Sequence, residues 1–240
     1  MIIEIATSDF ESTKSAVAGG ADRIELCANL GEGGTTQSYG VIKTCREMFG
    51  VKIYPIIRVR GGDFLYTDEE YECMYKDAVM CKEIGTDGVV IGFLNIDGTI
   101  DIKKTAKIVE AVYPLGVTFH RAFDRCLNPF EAMEQLINIG CERILTSGQQ
   151  KTANEGSELI KELNAMANNR IIIMPGSGVR VSNVRQLAAA TGCKEFHTSL
   201  REITKSRMDF ITPAFEGDAE NEHYTVSAEA VRRFKEAISL

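Results

Sequence analysis

Short apolar runs alternate with longer amphipathic stretches along the whole chain. Four of the runs are variants of one pattern: Gly20-Ala21-Asp22-Arg23-Ile24-Glu25-Leu26-Cys27, Gly85-Thr86-Asp87-Gly88-Val89-Val90-Ile91-Gly92, Gly140-Cys141-Glu142-Arg143-Ile144-Leu145-Thr146-Ser147 and Gly192-Cys193-Lys194-Glu195-Phe196-His197-Thr198-Ser199. In each, a glycine suited to ending a helix is followed by two or three linker residues and a short strand. A second series of predicted strands falls between them, at 2–6, 52–58, 116–120 and 170–175. The spacing predicts helices over 11–19, 39–49, 68–84, 102–113, 129–139, 155–168, 181–190 and 228–238. Asp68-Glu69-Glu70 places negative charge in a first helical turn, where the backbone dipole favours it, and Pro129 suits a first helical position.

The repeats begin 65, 55 and 52 residues apart, about twice a strand-plus-helix unit of roughly 30 residues. Eight strands alternating with eight helices predict an α/β fold, a single-domain (β/α)8 TIM barrel over residues 1–240. An open doubly wound sheet is the nearest rival. A pattern that recurs to the last strand favours closure, because open sheets have distinct edge strands. Residues 200–226 carry no clear period and are expected to form a long loop between strand 8 and the last helix, over the active end.

Composition narrows the partners. The chain has 240 residues, 27 Lys+Arg, 34 Asp+Glu and a net charge of −7. An acidic chain with no basic block argues against nucleic acid as a partner. No apolar run approaches the roughly 18 residues of a membrane span, and the N-terminal run reads as a strand rather than an export signal. Seven cysteines without a CxxC pair argue for free thiols in a reducing cytoplasm and against a zinc finger.

Side chains alternate along a strand. With Ile24 and Leu26 turned to the helices, Arg23, Glu25 and Cys27 face the barrel interior. The same parity turns in Glu4, Ala6, Thr118, His120 and His197. Glu4, Glu25, Arg58, His120 and His197 then form a charged interior where a barrel usually holds branched apolar residues. Such a cluster is either a structural ion network or a functional site. More chemistry gathers at the C-terminal strand ends, where this fold carries its sites. Glu25, His120 and Asp124 are the candidate acid–base groups. Arg58 and Arg60 are candidate anion clamps, unless they only neutralise Glu4, Glu25 and Asp63. Gly148, Gly176, Ser177 and Gly178 belong to loops able to present N–H groups to a phosphate or carboxylate, although tight turns need glycines anyway.

Cys27, Cys126, His120 and His197 are the candidate metal set, since thiolate and imidazole together suit Cu(I) or Zn(II). The competing expectation is that Cys27 and Cys126 are packing residues, as Cys45, Cys73, Cys81, Cys141 and Cys193 are taken to be.

Taken together, Gly19–Cys27, Glu32-Gly33-Gly34, Pro55–Phe64, Val117–Asp124, Ile144–Gln149, Gly178-Val179-Arg180 and Phe196–Ser199 resemble, in order and over nearly the whole chain, the CutC copper homeostasis proteins. That resemblance implies a cytoplasmic TIM barrel, a homo-oligomer (dimer or tetramer), a role in copper tolerance, and Cu(I) bound through cysteines. It also implies a cysteine near Ala6, which this chain lacks. The residues themselves leave three readings open. One is a copper-handling protein, one an enzyme acting on a small anionic or carbonyl substrate, phosphorylated or not, and one a barrel kept for subunit contacts.

Overall fold

The computed structural model describes residues 1–239, Glu220 by its backbone only. Strands β1 (Ile2–Thr7), β2 (Arg23–Leu26), β3 (Lys52–Pro55), β4 (Gly88–Ile91), β5 (Gly116–Phe119), β6 (Arg143–Thr146), β7 (Ile172–Pro175) and β8 (Glu195–Thr198) alternate with helices α1 (Phe10–Ala18), α2 (Tyr39–Met48), α3 (Asp68–Ile84), α4 (Ile102–Val112), α5 (Pro129–Asn138), α6 (Ser157–Ala167) and α7 (Val184–Thr191). The last helix, α8 (Ala228–Ser239), follows the hairpin β9 (Arg201–Lys205) and β10 (Glu222–Val226).

The barrel strands run parallel in two sets, β3-β2-β1-β8 and β4-β5-β6-β7. A bridge between Ile56 and Val90 joins the sets at one seam, and β7 stands beside β8 at the other. The core lies between strands and helices: Ile3, Ile5, Ile24 and Leu26 are fully buried there, as strand parity requires. Three caps fix helix entry. Asp9 accepts from the Ser12 N–H at 2.8 Å, Thr67 and Glu70 form a reciprocal capping box, and Asn128 caps α5 ahead of Pro129. Each such cap contributes about 1 kcal/mol.

The expected long loop at 200–226 is instead built around the antiparallel β9–β10 hairpin. Its strands are mostly exposed on both faces, so no apolar alternation marks them. Two of the expected strand ends also differ: Arg58 and His120 lie beyond β3 and β5, where the chain has already turned. No helix among the described residues is long and apolar enough to cross a membrane.

Candidate functional site

A cavity of about 1150 Å³ opens at the C-terminal ends of the barrel strands. Its wall includes Glu25, Arg58, Phe64, His120 and His197, and the hairpin reaches over it with Arg201 and Tyr224.

Strand register builds its floor. Glu4 of β1 lies level with His197 of β8, and Ala6 lies level with Glu25 of β2. Residues paired across parallel strands point to the same face. Glu4 and His197 therefore meet, at 2.8 Å between Oε1 and Nδ1. Glu25 stands one layer higher, where the small Ala6 leaves room, with Oε2 3.7 Å from His197 Nε2. Gly176, on the adjoining strand end, is bare where a side chain would press on Leu145 and the His197 ring.

Beneath this floor lies an ion network. Arg23 donates from Nε to Glu4 and from Nη2 to Glu195 at 2.7 Å, and Arg143 donates from Nε to the same Glu195 oxygen at 2.7 Å. Arg143 also reaches Glu142, which lies 3.1 Å away and accepts from Tyr54 Oη. Four charged side chains at the barrel centre are thus mutually compensated, as buried ions must be. Sequence parity marked Arg23 but missed Arg143 and Glu195. The signal was present, because Arg143 occupies the place of Arg23 in the repeat.

The network sets the titration of the floor. Burial opposes ionisation of Glu4, but Arg23, His197 and Arg143 outweigh it and hold the carboxyl far below its usual range. Burial raises Glu25 from 4.5 to about 7; His197 and Arg23 resist and Glu4 reinforces. Burial would lower His197, yet the two carboxylates raise it. The result is an imidazole fixed at Nδ1 by a permanent carboxylate, with Nε2 facing a carboxyl that ionises near neutrality. That arrangement can accept or donate a proton in the cavity.

His120 is different in kind. It follows β5, is 4% exposed, and accepts at Nδ1 from the Ala122 N–H at 3.1 Å. Burial first, then Arg58 and Arg121, push it down to about 3. It is a neutral ring near pH 7 rather than an acid–base group. A side chain at Gly92 would collide with this ring, so the glycine is what admits it.

The arginines are largely committed to the protein. Arg58 donates from Nη1 to the carbonyls of Glu32 and Gly34, each at 2.9 Å, and from Nη2 to that of Gly62 at 2.8 Å, tying the loops after β2 and β3 together. Arg60 lies outside the cavity wall, donating to Glu70 at 2.6 Å and packed over Tyr66. Asp124 also lies outside the wall and accepts from Thr146 Oγ1, Ser147 N–H, Gln149 N–H and Arg121 Nε. These bonds leave it stapling the loop after β6. The Gly148 N–H donates to Thr146 Oγ1, and its Cα packs on Gly156. Ser177 and Gly178 do line the cavity, with left-handed φ of 74° and 71°. The N–H groups of Gly178, Val179 and Ser199 make no hydrogen bond to a described residue. Arg180 and Arg201 flank them, Arg201 stacked on Tyr224 at 4.7 Å. Sequence reasoning noted Arg180 only within the Gly178-Val179-Arg180 motif and did not name Arg201, so neither was counted among the candidate anion-binding residues.

The proposed metal set is not brought together. Cys27 is buried beneath the mouth with Tyr54, Ile56 and Val90, its Sγ donating to the Thr7 carbonyl at 3.5 Å. Cys126 borders a separate small cavity with Gly98 and Leu127. Burial pushes the Cys27 thiol well above its usual range and that of Cys126 up to about 12. Two thiols in separate surroundings do not form the converging sulfur set that Cu(I) takes. Among the described residues, the group of His, Cys, Asp and Glu able to share an ion is Glu4, Glu25 and His197, whose ligand atoms lie within 4.8 Å. Two carboxylates and an imidazole favour a harder ion than Cu(I).

The model of the CutC family matches residues 1–202. A CutC family protein of Parabacteroides distasonis is 54% identical over 210 residues, covering 87% of this chain and 86% of that protein. The crystal structure of a protein provisionally named copper homeostasis protein CutC, from Streptococcus agalactiae, matches with a TM-score of 0.79 and 34% identity, over 82% of this chain and 97% of that one. Thiamine phosphate pyrophosphorylase from Pyrococcus furiosus matches over 99% of this chain and 95% of that one, with a TM-score of 0.62 and 14% identity, which establishes a shared TIM-barrel fold.

Proposed function

The chain belongs to the CutC family, and from that premise we propose that it is an enzyme performing acid–base chemistry on a small anionic substrate at the barrel mouth. The observation that carries this reading is His197 held between Glu4 at 2.8 Å and Glu25 at 3.7 Å in the cavity floor. Glu4 fixes the ring, His197 Nε2 and Glu25 exchange a proton with the substrate, and Glu25 is tuned near the working pH, where such catalysis is most effective. Arg180, Arg201 and the free N–H groups of Gly178, Val179 and Ser199 would hold the anion. Seven unpaired cysteines support a reducing, cytoplasmic setting.

The name of the Streptococcus relative supports copper homeostasis as the physiological setting. Within it, we assign this chain a chemical role rather than transport of Cu(I) on Cys27 and Cys126, whose thiols lie in separate surroundings. Thermal-shift screening with phosphorylated and carboxylate metabolites tests the reading, using wild type, Arg180→Ala and the Cys27→Ser/Cys126→Ser double variant. The expected result is stabilisation by an anionic compound that falls in Arg180→Ala and survives in the double variant. Stabilisation by Cu(I) alone, lost with the two thiols, would overturn it.

A further inference from the structure

Extending the enzymatic reading above, we propose that His120 is a neutral hydrogen-bond donor to a carbonyl oxygen, so that the mouth takes an enolisable carbonyl compound bearing an anionic group.

The tautomer follows from the hydrogen bond. Because Nδ1 accepts from the Ala122 N–H, the proton of the neutral ring sits on Nε2. That Nε2–H is buried and has no partner among the described residues. An unpaired buried donor costs about 1–3 kcal/mol, so its retention calls for a use. Arg58 supplies a second donor of the same kind, since its Nε is also buried without a partner. Phe64 lies between the two, its ring 5.0 Å from the imidazole centroid and 5.0 Å from the Arg58 guanidinium carbon. All three side chains line the one cavity. Neither donor makes a hydrogen bond to a described residue, although the likewise unpaired Tyr66 hydroxyl lies beside Arg58; such donors suit an oxygen that gains negative charge during reaction, because these bonds are strongest in a water-excluded site.

The two histidines of the mouth therefore divide the labour by environment. His197 has carboxylates at both nitrogens and carries protons. His120 has arginines as its charged neighbours and stays neutral. The reaction follows from the pairing. Ionised Glu25 takes the proton from the carbon beside the carbonyl. The C–H electron pair becomes the C=C bond of the enolate, and the carbonyl π pair moves to oxygen, against His120 Nε2–H and Arg58 Nε–H. Return of a proton to the same carbon restores the carbonyl. The minimal turnover is thus exchange of that hydrogen with water, which needs no oxidant or reductant.

The test uses the full chain in D2O with pyruvate, 2-oxobutyrate and dihydroxyacetone phosphate, following loss of the exchangeable C–H signal by proton NMR. Exchange above the buffer rate is expected for at least one probe. It should fall about 100- to 1000-fold in His120→Phe, which keeps a ring against Phe64 but removes the donor. His120→Gln, which retains an N–H, should recover part of it. A second readout does not depend on turnover. In protein labelled with 15N-histidine, His120 should stay in the Nε2–H form from pH 5 to 9, and oxalate, a planar enolate mimic, should move that proton downfield. Exchange on no probe, exchange unchanged in His120→Phe, a His120 that titrates in this range, or an unmoved resonance in oxalate would each overturn the proposal. If any of these occurs while Arg180-dependent anion stabilisation persists, the proposal fails and the broader enzymatic reading stands; loss of anion binding altogether sinks both.

Discussion

Glu25 is weakly compensated, and that makes its replacement informative. Its nearest cation is His197 Nε2 at 3.7 Å, it is 5% exposed, and Glu4 repels its charge. The carboxyl is therefore raised from 4.5 to about 7. A group that binds its proton more tightly folded than unfolded makes stability fall as pH rises through the interval between the two values. Here the loss begins near pH 4.5 and is complete above about 7. At about 1.4 kcal/mol per tenfold change in acidity, ionising Glu25 costs about 3 kcal/mol at pH 8. Glu25→Gln keeps the size and an acceptor oxygen but cannot ionise. The variant should match wild type near pH 4 and exceed it at pH 8 by up to about 3 kcal/mol, or roughly 6–12 °C in melting midpoint for a chain this long. The figure is a ceiling, because removing the Glu25 charge also lowers His197 and gives back part of the gain. Urea denaturation at constant ionic strength from pH 4 to 8.5 measures the difference directly. A difference independent of pH, or a variant weaker at pH 8 than at pH 4, would show that Glu25 is ionised and well compensated, and would remove it from the proton-transfer site.

Three further outcomes follow from the same geometry. Glu195→Ala strips Arg23 and Arg143 of the carboxylate they share and should destabilise by about 3–5 kcal/mol in urea at pH 7, against much less for an exposed control such as Glu11→Ala. Competition between the reduced protein and a Cu(I) chelator should give the same affinity for wild type and Cys27→Ser/Cys126→Ser, because Cys73 is the exposed thiol; a tight site lost in the double variant would contradict the burial argument. Gly92→Ala places a methyl against the His120 ring and Ala122, and should cost about 1–3 kcal/mol in urea and shift the His120 15N resonances while leaving those of His197 in place.

Strand parity read from the repeat was enough to put Glu4, Glu25 and His197 on one inward face, because a two-residue period survives any detail of loop or helix. Parity stops where strands stop, and the misplacements cluster there. Arg60, Asp124 and Cys126, which lie outside the cavity wall, and Arg58, which lines it, all lie in turns after strand ends, where direction depends on which backbone groups need partners. Asp124 is drawn to the Ser147 and Gln149 N–H groups, and Arg58 to three carbonyls, needs that are invisible until the loops are folded against each other. Cys27 marks the boundary: it has the right parity but sits one residue past β2, where it packs under Gly34 and reaches the Thr7 carbonyl. The two histidines expose the same limit at the level of chemistry. Sequence places both inward, yet it does not say that one is flanked by carboxylates and the other by arginines. The proposed division between a proton carrier and a fixed donor rests on that difference in neighbours, not on residue identity, and the difference is legible only in three dimensions.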